Sequence, residues 1–147
     1  MNLTIQCAKV AQPAPSADIL KWLKLAVKEG ANNPSIAKQA TITVRFVGSK
    51  ESQLLNKQYR GKNYATNVLT FPYSAAPLDA DLVLCTPVLR REAKEQGKQM
   101  IDHLAHLLMH GALHAVGHDH ETVADAVQME ALEINLLKRL AIADPYK

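Results

Sequence analysis

The sequence predicts an α+β domain in which helices pack over one small mixed sheet of four strands, and three observations lead there. Segments that alternate apolar and polar residues fall early in the chain, whereas helical periodicity dominates its second half. The order read along the chain is strand, helix, strand, helix, two strands and then three helices, about five helices in all, and late helices after early strands indicate segregated layers. The chain has 147 residues, 48% of them hydrophobic and 21% charged. That is enough for one core, and no repeat, linker or low-complexity tract divides it. Residues 1–147 are therefore expected to form a single domain.

The elements follow in order. Leu3, Ile5 and Cys7 alternate with Asn2, Thr4 and Gln6, the period of a half-buried strand. The prolines between Gln12 and Ser16 end it. Ser16 is placed to cap a helix that runs to Gly30 with Ile19, Leu20, Leu23, Ala26 and Val27 on one face, and Gly30 suits a left-handed closing residue. Ala31 to Ser35 has loop chemistry. Thr41 to Val47 is the clearest strand, with Ile42, Val44 and Phe46 pointing one way. Ser49 opens a short helix through Tyr59 with Leu54 and Leu55 inward. Asn67 to Tyr73 reads as a third strand limited by Pro72, and Asp81 to Cys85 as a fourth. Thr86-Pro87 is a helix start, a capping hydroxyl followed by proline, and that helix ends near Gly97. Met100 to Val116 is the next helix. Thr122 to Ala141 is the last, with Val127, Met129, Leu132, Leu136 and Leu140 inward.

Composition excludes several classes. No apolar run approaches the ~18 residues of a membrane span, and residues 1–9 lack the apolar block of a signal peptide. A cytoplasmic protein without a membrane partner is the expectation. Cys7 and Cys85 belong to no Cys-x-x-Cys pair and read as small buried hydrophobes. The net charge of +3 is unevenly spread: residues 1–78 hold ten Lys/Arg and three Asp/Glu, residues 79–147 seven and eleven. A basic half beside an acidic one is compatible with a phosphate-backbone footprint, or simply with a solvated surface.

The chemistry concentrates in the histidines, all six of which lie between His103 and His120. On a helix His110 and His114 stack one turn apart on one face, so their imidazoles can converge on one cation. The next turn would carry the chain past that cation. Gly117 tolerates the positive φ that stops a helix, and the chain can then return His120. Two ligands, a breaker and a third ligand leave one coordination position of zinc free, the pattern of a catalytic site. Other pairs, His106 with His110 and His114 with His118, share the spacing, and a helix continuing through Gly117 would offer His118 instead of His120. His103 and His106 lie on the face of His110, either as hydrogen-bond partners of the ligands or as satisfied core histidines. Metzincin metalloproteases share the spacing but require a glutamate directly after the first histidine as general base. Here that residue is Gly111, which cannot accept a proton, and protease chemistry is set aside.

The run His110-Gly111-Ala112-Leu113-His114-Ala115-Val116-Gly117-His118-Asp119-His120 resembles the signature His-Gly-x-Leu-His-Leu-x-Gly-x-Asp-His of the YbeY endoribonucleases. A second block agrees, Asn56 and Tyr59-Arg60-Gly61-Lys62 followed by Thr66-Asn67-Val68-Leu69-Thr70-Phe71-Pro72. Arg91-Glu92-Ala93 and Met129-Glu130 through Glu133 extend the likeness over roughly residues 41–137. Ala115 replaces the usual leucine, Thr70 the usual serine, and Ala80-Asp81-Leu82 stands where Gly-Asp-Ile is typical.

The resemblance implies a zincin-like fold and one Zn2+ per chain. It also implies single-strand-specific endoribonuclease activity in ribosomal RNA maturation, notably at the 3′ end of 16S rRNA, and in ribosome quality control. The implied partners are single-stranded ribosomal RNA, the small ribosomal subunit and its assembly factors. Arg60 matches the family's functional arginine, a role that suits a permanently charged, bidentate phosphate ligand. Lys62, Thr66 and Asn67 of the same block are further candidates for RNA contact. Asp119 and His106 are candidates to support the ligands, Asp119 by orienting His120 or by capping the turn. No carboxylate of the motif is an obvious general base. Two other readings therefore stand beside the enzyme: a zinc-stabilised RNA- or ribosome-binding module without catalysis, and a small-molecule metal hydrolase.

Overall fold

The computed structural model describes residues 1–31 and 33–147. Its strands β1 (Asn2–Cys7), β2 (Thr41–Val47), β3 (Val68–Ala75) and β4 (Leu78–Cys85) form one sheet in the order β1-β2-β4-β3. β2 runs parallel to β1 and to β4, and β3 runs antiparallel to β4. Among the described residues there are six helices: α1 (Ser16–Ala31), α2 (Pro34–Gln39), α3 (Ser49–Arg60), α4 (Thr86–Glu95), α5 (Met100–Ala115) and α6 (Val123–Arg139). The class is the α+β one that the sequence predicts, with one helix more.

Alternation decides which layer each strand residue joins. Ile42, Val44 and Phe46 of β2, with Leu82 and Leu84 of β4, face the main core and are fully buried. α5 is the central helix of that core. It lies against β3 and β4 and is flanked by α1, α4 and α6. The opposite face of the sheet carries a smaller cluster of Val47, Leu69, Val83, Cys85 and Val88, with Leu55 of α3 packed against it.

Several local expectations are corrected. Gly30 does not close α1 but lies inside it, because the helix needs close approach there. A Cβ on Gly30 would meet Leu113 Cδ2 at 2.6 Å and Val116 Cγ2 at 3.0 Å. Of the expected loop, Asn32 lies outside the described residues. Asn33 instead caps α2, its side-chain oxygen accepting from the Ser35 N–H at 3.1 Å. Leu54 points outward at 58% exposure, and the buried side chains of α3 are Ser52 and Asn56. Ser52 Oγ donates to the Thr66 carbonyl and accepts from its N–H, and Asn56 Nδ2 donates to the Tyr64 carbonyl. A polar inner face thus holds the loop that follows the helix.

Val127 is also outward. Cys7 is exposed at the end of an edge strand, whereas Cys85 is buried. The cap of α4 is Cys85 with no side-chain hydrogen bond, and Thr86 is already the first residue of the helix. β3 continues past Pro72 to Ala75 through a register shift between Pro72 and Ser74. An edge strand tolerates this, since it has a side that needs no donor. β4 accordingly begins three residues earlier than expected, at Leu78.

Candidate metal centre

α5 carries His110 and His114 on one face, four residues apart, and their Nε2 atoms lie 3.1 Å from each other. The other nitrogen of each ring is committed. His110 Nδ1 is 2.6 Å from Glu133 Oε1 on α6, and His114 Nδ1 is 2.9 Å from the His118 carbonyl oxygen. A carboxylate and a carbonyl only accept, so both Nδ1 atoms donate, and in the neutral rings both Nε2 atoms present lone pairs. Two lone pairs at this distance repel unless a proton or a cation lies between them. Zinc–nitrogen bonds of ~2.0–2.1 Å at the tetrahedral angle place ligand nitrogens roughly 3.3 Å apart. The donor set fits such an ion.

The third histidine arrives by way of the helix end. α5 closes with the His118 N–H bonded to the Leu113 carbonyl and the Gly117 N–H bonded to the His114 carbonyl, each at 3.0 Å, with Gly117 at φ +105°. This is the paired closure that a left-handed glycine permits. The chain then turns at Asp119, whose Oδ1 accepts from the Glu121 N–H at 3.2 Å. His120 is returned to the other two, and the ligand atoms of His110, His114 and His120 all lie within 4.8 Å of one another. His118 is drawn away: its Nε2 donates to the Gly30 carbonyl at 2.8 Å, against α1. His106, His110 and Glu133 form a second close group, but there His110 offers the Nδ1 that already donates to Glu133.

Electrostatics favour the ligating form. Burial, reinforced by the neighbouring His110, lowers the pKa of His114 to about 4, so its imidazole is neutral at neutral pH. Glu133 is 1% exposed. Burial opposes its ionisation, but His106 at 3.3 Å and the hydrogen bonds from His110 and from the Tyr146 hydroxyl outweigh that, holding its carboxyl well below the usual range. A negative charge is thus fixed behind His110. Sequence reasoning noticed Glu133 only within a family match, although a carboxylate between Met129, Leu132, Leu136 and Leu137 on an apolar helix face was a visible signal.

The histidines open on a cavity of ≈660 Å³, lined also by Arg60, Tyr59, Phe71, Asn67, Asp119 and Glu121. Arg60 is the last residue of α3, exposed, and outside the ion pairs found among the described residues. Asn67 reaches the cavity wall, but its amide donates to both oxygens of Glu92 at 3.2 and 3.3 Å, and Glu92 Oε1 also accepts from His103 Nε2 at 3.0 Å. Lys62 and Thr66 sit in the connection from α3 to β3 and do not line the cavity. His106 lies behind Glu133 rather than in the cavity. Tyr59 and Phe71, which sequence reasoning did not single out, meet edge to face with ring centroids 5.0 Å apart. At Gly111 a Cβ would point at Leu82, Thr70 and Val68, 3.2–3.4 Å away. A side chain where a protease would carry its base is therefore crowded by β4 and by β3, whose Val68 and Thr70 also line the cavity.

Comparison with known proteins places these features in a family. The model of the family described as endoribonuclease YbeY matches residues 4–141. The endoribonuclease YbeY of Methylibium petroleiphilum is 47% identical over 149 aligned positions, covering 99% of this chain and 94% of its own. That of Burkholderia pseudomallei is 56% identical over 133 positions, 88% of this chain and 67% of its own. A protein of Thermotoga maritima, known from a solution structure, is similar in fold with a TM-score of 0.57 and 22% identity, covering 99% of both chains.

Proposed function

The chain belongs to the YbeY endoribonuclease family, and on that premise we propose that residues 1–147 form one zinc-dependent endoribonuclease domain. Its substrate is single-stranded ribosomal RNA, cut during rRNA maturation (16S rRNA 3′-end processing) and ribosome quality control. It works in the cytoplasm with the small ribosomal subunit and its assembly factors as partners. No helix among the described residues is long and apolar enough to cross a membrane, which is in keeping with such partners.

The observation that carries the reading is the pair of Nε2 atoms facing each other at 3.1 Å on the wall of the cavity that Arg60 shares. His110, His114 and His120 would hold one zinc ion, which supplies a Lewis acid for a phosphate oxygen or a bound water of pKa near about 7. Glu133 and the His118 carbonyl keep the first two rings in the ligating tautomer. Arg60 offers a planar, always charged fork that can hold the scissile phosphate and stabilise its developing charge. Tyr59 and Phe71 add aromatic surface on which unpaired bases can stack, and stacking tolerates any base. This favours single strands over duplex.

One comparison tests the proposal. Wild type, His114→Ala and Arg60→Ala are assayed for zinc content and for cleavage of a defined single-stranded RNA, and the wild type again after mild chelation and zinc return. The expected pattern is about one zinc per wild-type chain, loss of metal and cleavage in His114→Ala, and metal retained in Arg60→Ala with cleavage down roughly 100-fold or more, the scale for losing a group that stabilises transition-state charge. Folded, metal-free protein that cuts RNA as fast as the zinc form would remove the metal from catalysis, and zinc-loaded wild type that binds the RNA without cutting it would leave the binding-module reading in its place.

A further inference from the structure

The carboxylate behind His110 has two oxygens, and only one of them serves the histidines. Glu133 Oε1 meets His110 Nδ1 at 2.6 Å and His106 Nε2 at 3.3 Å. Oε2 accepts from the Tyr146 hydroxyl at 2.7 Å. An ionised carboxylate at 1% exposure is tolerable only when its lone pairs are met by donors.

The chain end is built to deliver that donor. α6 stops where Ala141 turns left-handed at φ +58°, and the Ile142 N–H bonds back to the Leu137 carbonyl at 2.9 Å. Ile142 packs against the main core, which pins the reversed segment. Asp144 Oδ1 then accepts from the Tyr146 N–H at 2.8 Å, a turn that directs the ring inward. There the ring meets that of His106 edge to face, with centroids 5.8 Å apart and planes at 88°. Tyr146 itself is 46% exposed, so a residue on the surface touches the innermost partner of the candidate metal site.

We propose that Tyr146 is a positioning residue for the metal centre: by occupying Glu133 Oε2 it fixes the carboxylate that orients His110, and this makes the C-terminal segment a determinant of metal affinity. The inference rests on His110, His114 and His120 being the metal ligands. Without the hydroxyl, Glu133 must find another donor for Oε2 by rotating or by admitting water, and either change loosens its hold on His110 Nδ1–H. Partners of metal-bound histidines typically change affinity about 10- to 100-fold when removed. Tyr146 acts one hydrogen bond further out, so its effect belongs near the lower end of that range.

Tyr146→Phe keeps the ring and its packing on His106 and removes only the hydroxyl. Zinc dissociation constants are measured by competition with a chelator for wild type, Tyr146→Phe, Glu133→Gln, the double variant and His110→Ala. The His110 ring nitrogens are followed by 15N NMR on the folded proteins. Tyr146→Phe is expected to weaken zinc roughly 10-fold and to shift the His110 Nδ1 resonance. The double variant should bind no worse than Glu133→Gln, since both act through one carboxylate. Wild-type zinc affinity in Tyr146→Phe overturns the proposal, and so does a fully additive loss in the double variant. Zinc retained by His110→Ala would instead overturn the ligand assignment beneath it, and the two failures are thereby told apart.

Discussion

At the scale of single residues, the centre is held by groups whose protonation is set by burial and by each other, and this predicts how the metal-free protein responds to acid. His114 is lowered from 6.5 to about 4, first by burial and then by His110, and His103 is lowered as well, again first by burial. A histidine kept neutral in the fold gives no pH dependence above its unfolded value. Below 6.5 the unfolded chain takes up a proton that the fold refuses, so stability falls as pH drops towards the folded value. Glu133 is lowered from 4.5, so its contribution is present above 4.5 and is lost as pH falls further. The two histidines act together below 6.5 and Glu133 follows below 4.5, all in the same direction. The urea midpoint of metal-free protein should therefore decline steadily from pH 7 to pH 4, and a midpoint that rose between pH 6.5 and 5 would contradict the assignment of His114. Helical rotation and one glycine point to the grouping of His110, His114 and His120, but spacing left His118 as an alternative to His120 until the helix end was placed. Tyr146 was not legible, because nothing local ties a residue at the chain end to a carboxylate thirteen positions earlier.

At the scale of elements, the end of α5 decides whether the third histidine arrives. Gly117 sits at φ +105° with nothing within 4 Å of where a Cβ would be, so a side chain there meets strain but no clash. Gly97, at φ +65° after α4, is the same case outside the cavity on which His110, His114 and His120 open. Each glycine replaced by alanine should cost about 1–3 kcal/mol of backbone strain, about 2–12 °C in Tm at 2–4 °C per kcal/mol for a chain near this length. Only Gly117→Ala should also weaken zinc binding, measured by chelator competition, because only there does the strained turn carry a ligand. Equal zinc affinity in the two variants would detach His120 from the turn. The breaker and the strand Thr41–Val47 were readable because each follows from one local rule. α2 was missed because Asn33-Pro34-Ser35 is turn chemistry that also starts helices, and only tertiary packing chooses between the two. Leu54 and Val127 are outward although apolar, so an apolar side chain does not by itself mark the buried side; in α3 the inner face is polar and serves the following loop.

At the scale of the whole molecule, the core and the metal centre are separable. The main cluster runs from α1 across the sheet to α5 and α6 without using His110, His114 or His120, and His120 is exposed. Metal removal should then leave the helices in place, with the far-UV circular dichroism nearly unchanged. RNA binding should divide in the same way. The excess of Lys/Arg lies in residues 1–78, which include Arg60, whereas the proposed ligands His110, His114 and His120 belong to the acidic half. If backbone contacts come mainly from the basic half, metal-free protein should keep part of its affinity for a short single-stranded RNA. That affinity should fall with salt at about −0.7 in log K per phosphate neutralised. Restoring zinc should raise the affinity at every salt concentration and change the slope by no more than about one phosphate, because one ion meets one phosphate. Both titrations run on one preparation between 50 and 200 mM salt, with circular dichroism recorded alongside. Metal-free protein that stays folded and binds no RNA would place the whole interaction at the metal. A slope that collapsed on zinc removal would show that the basic half contributes no phosphate contacts of its own.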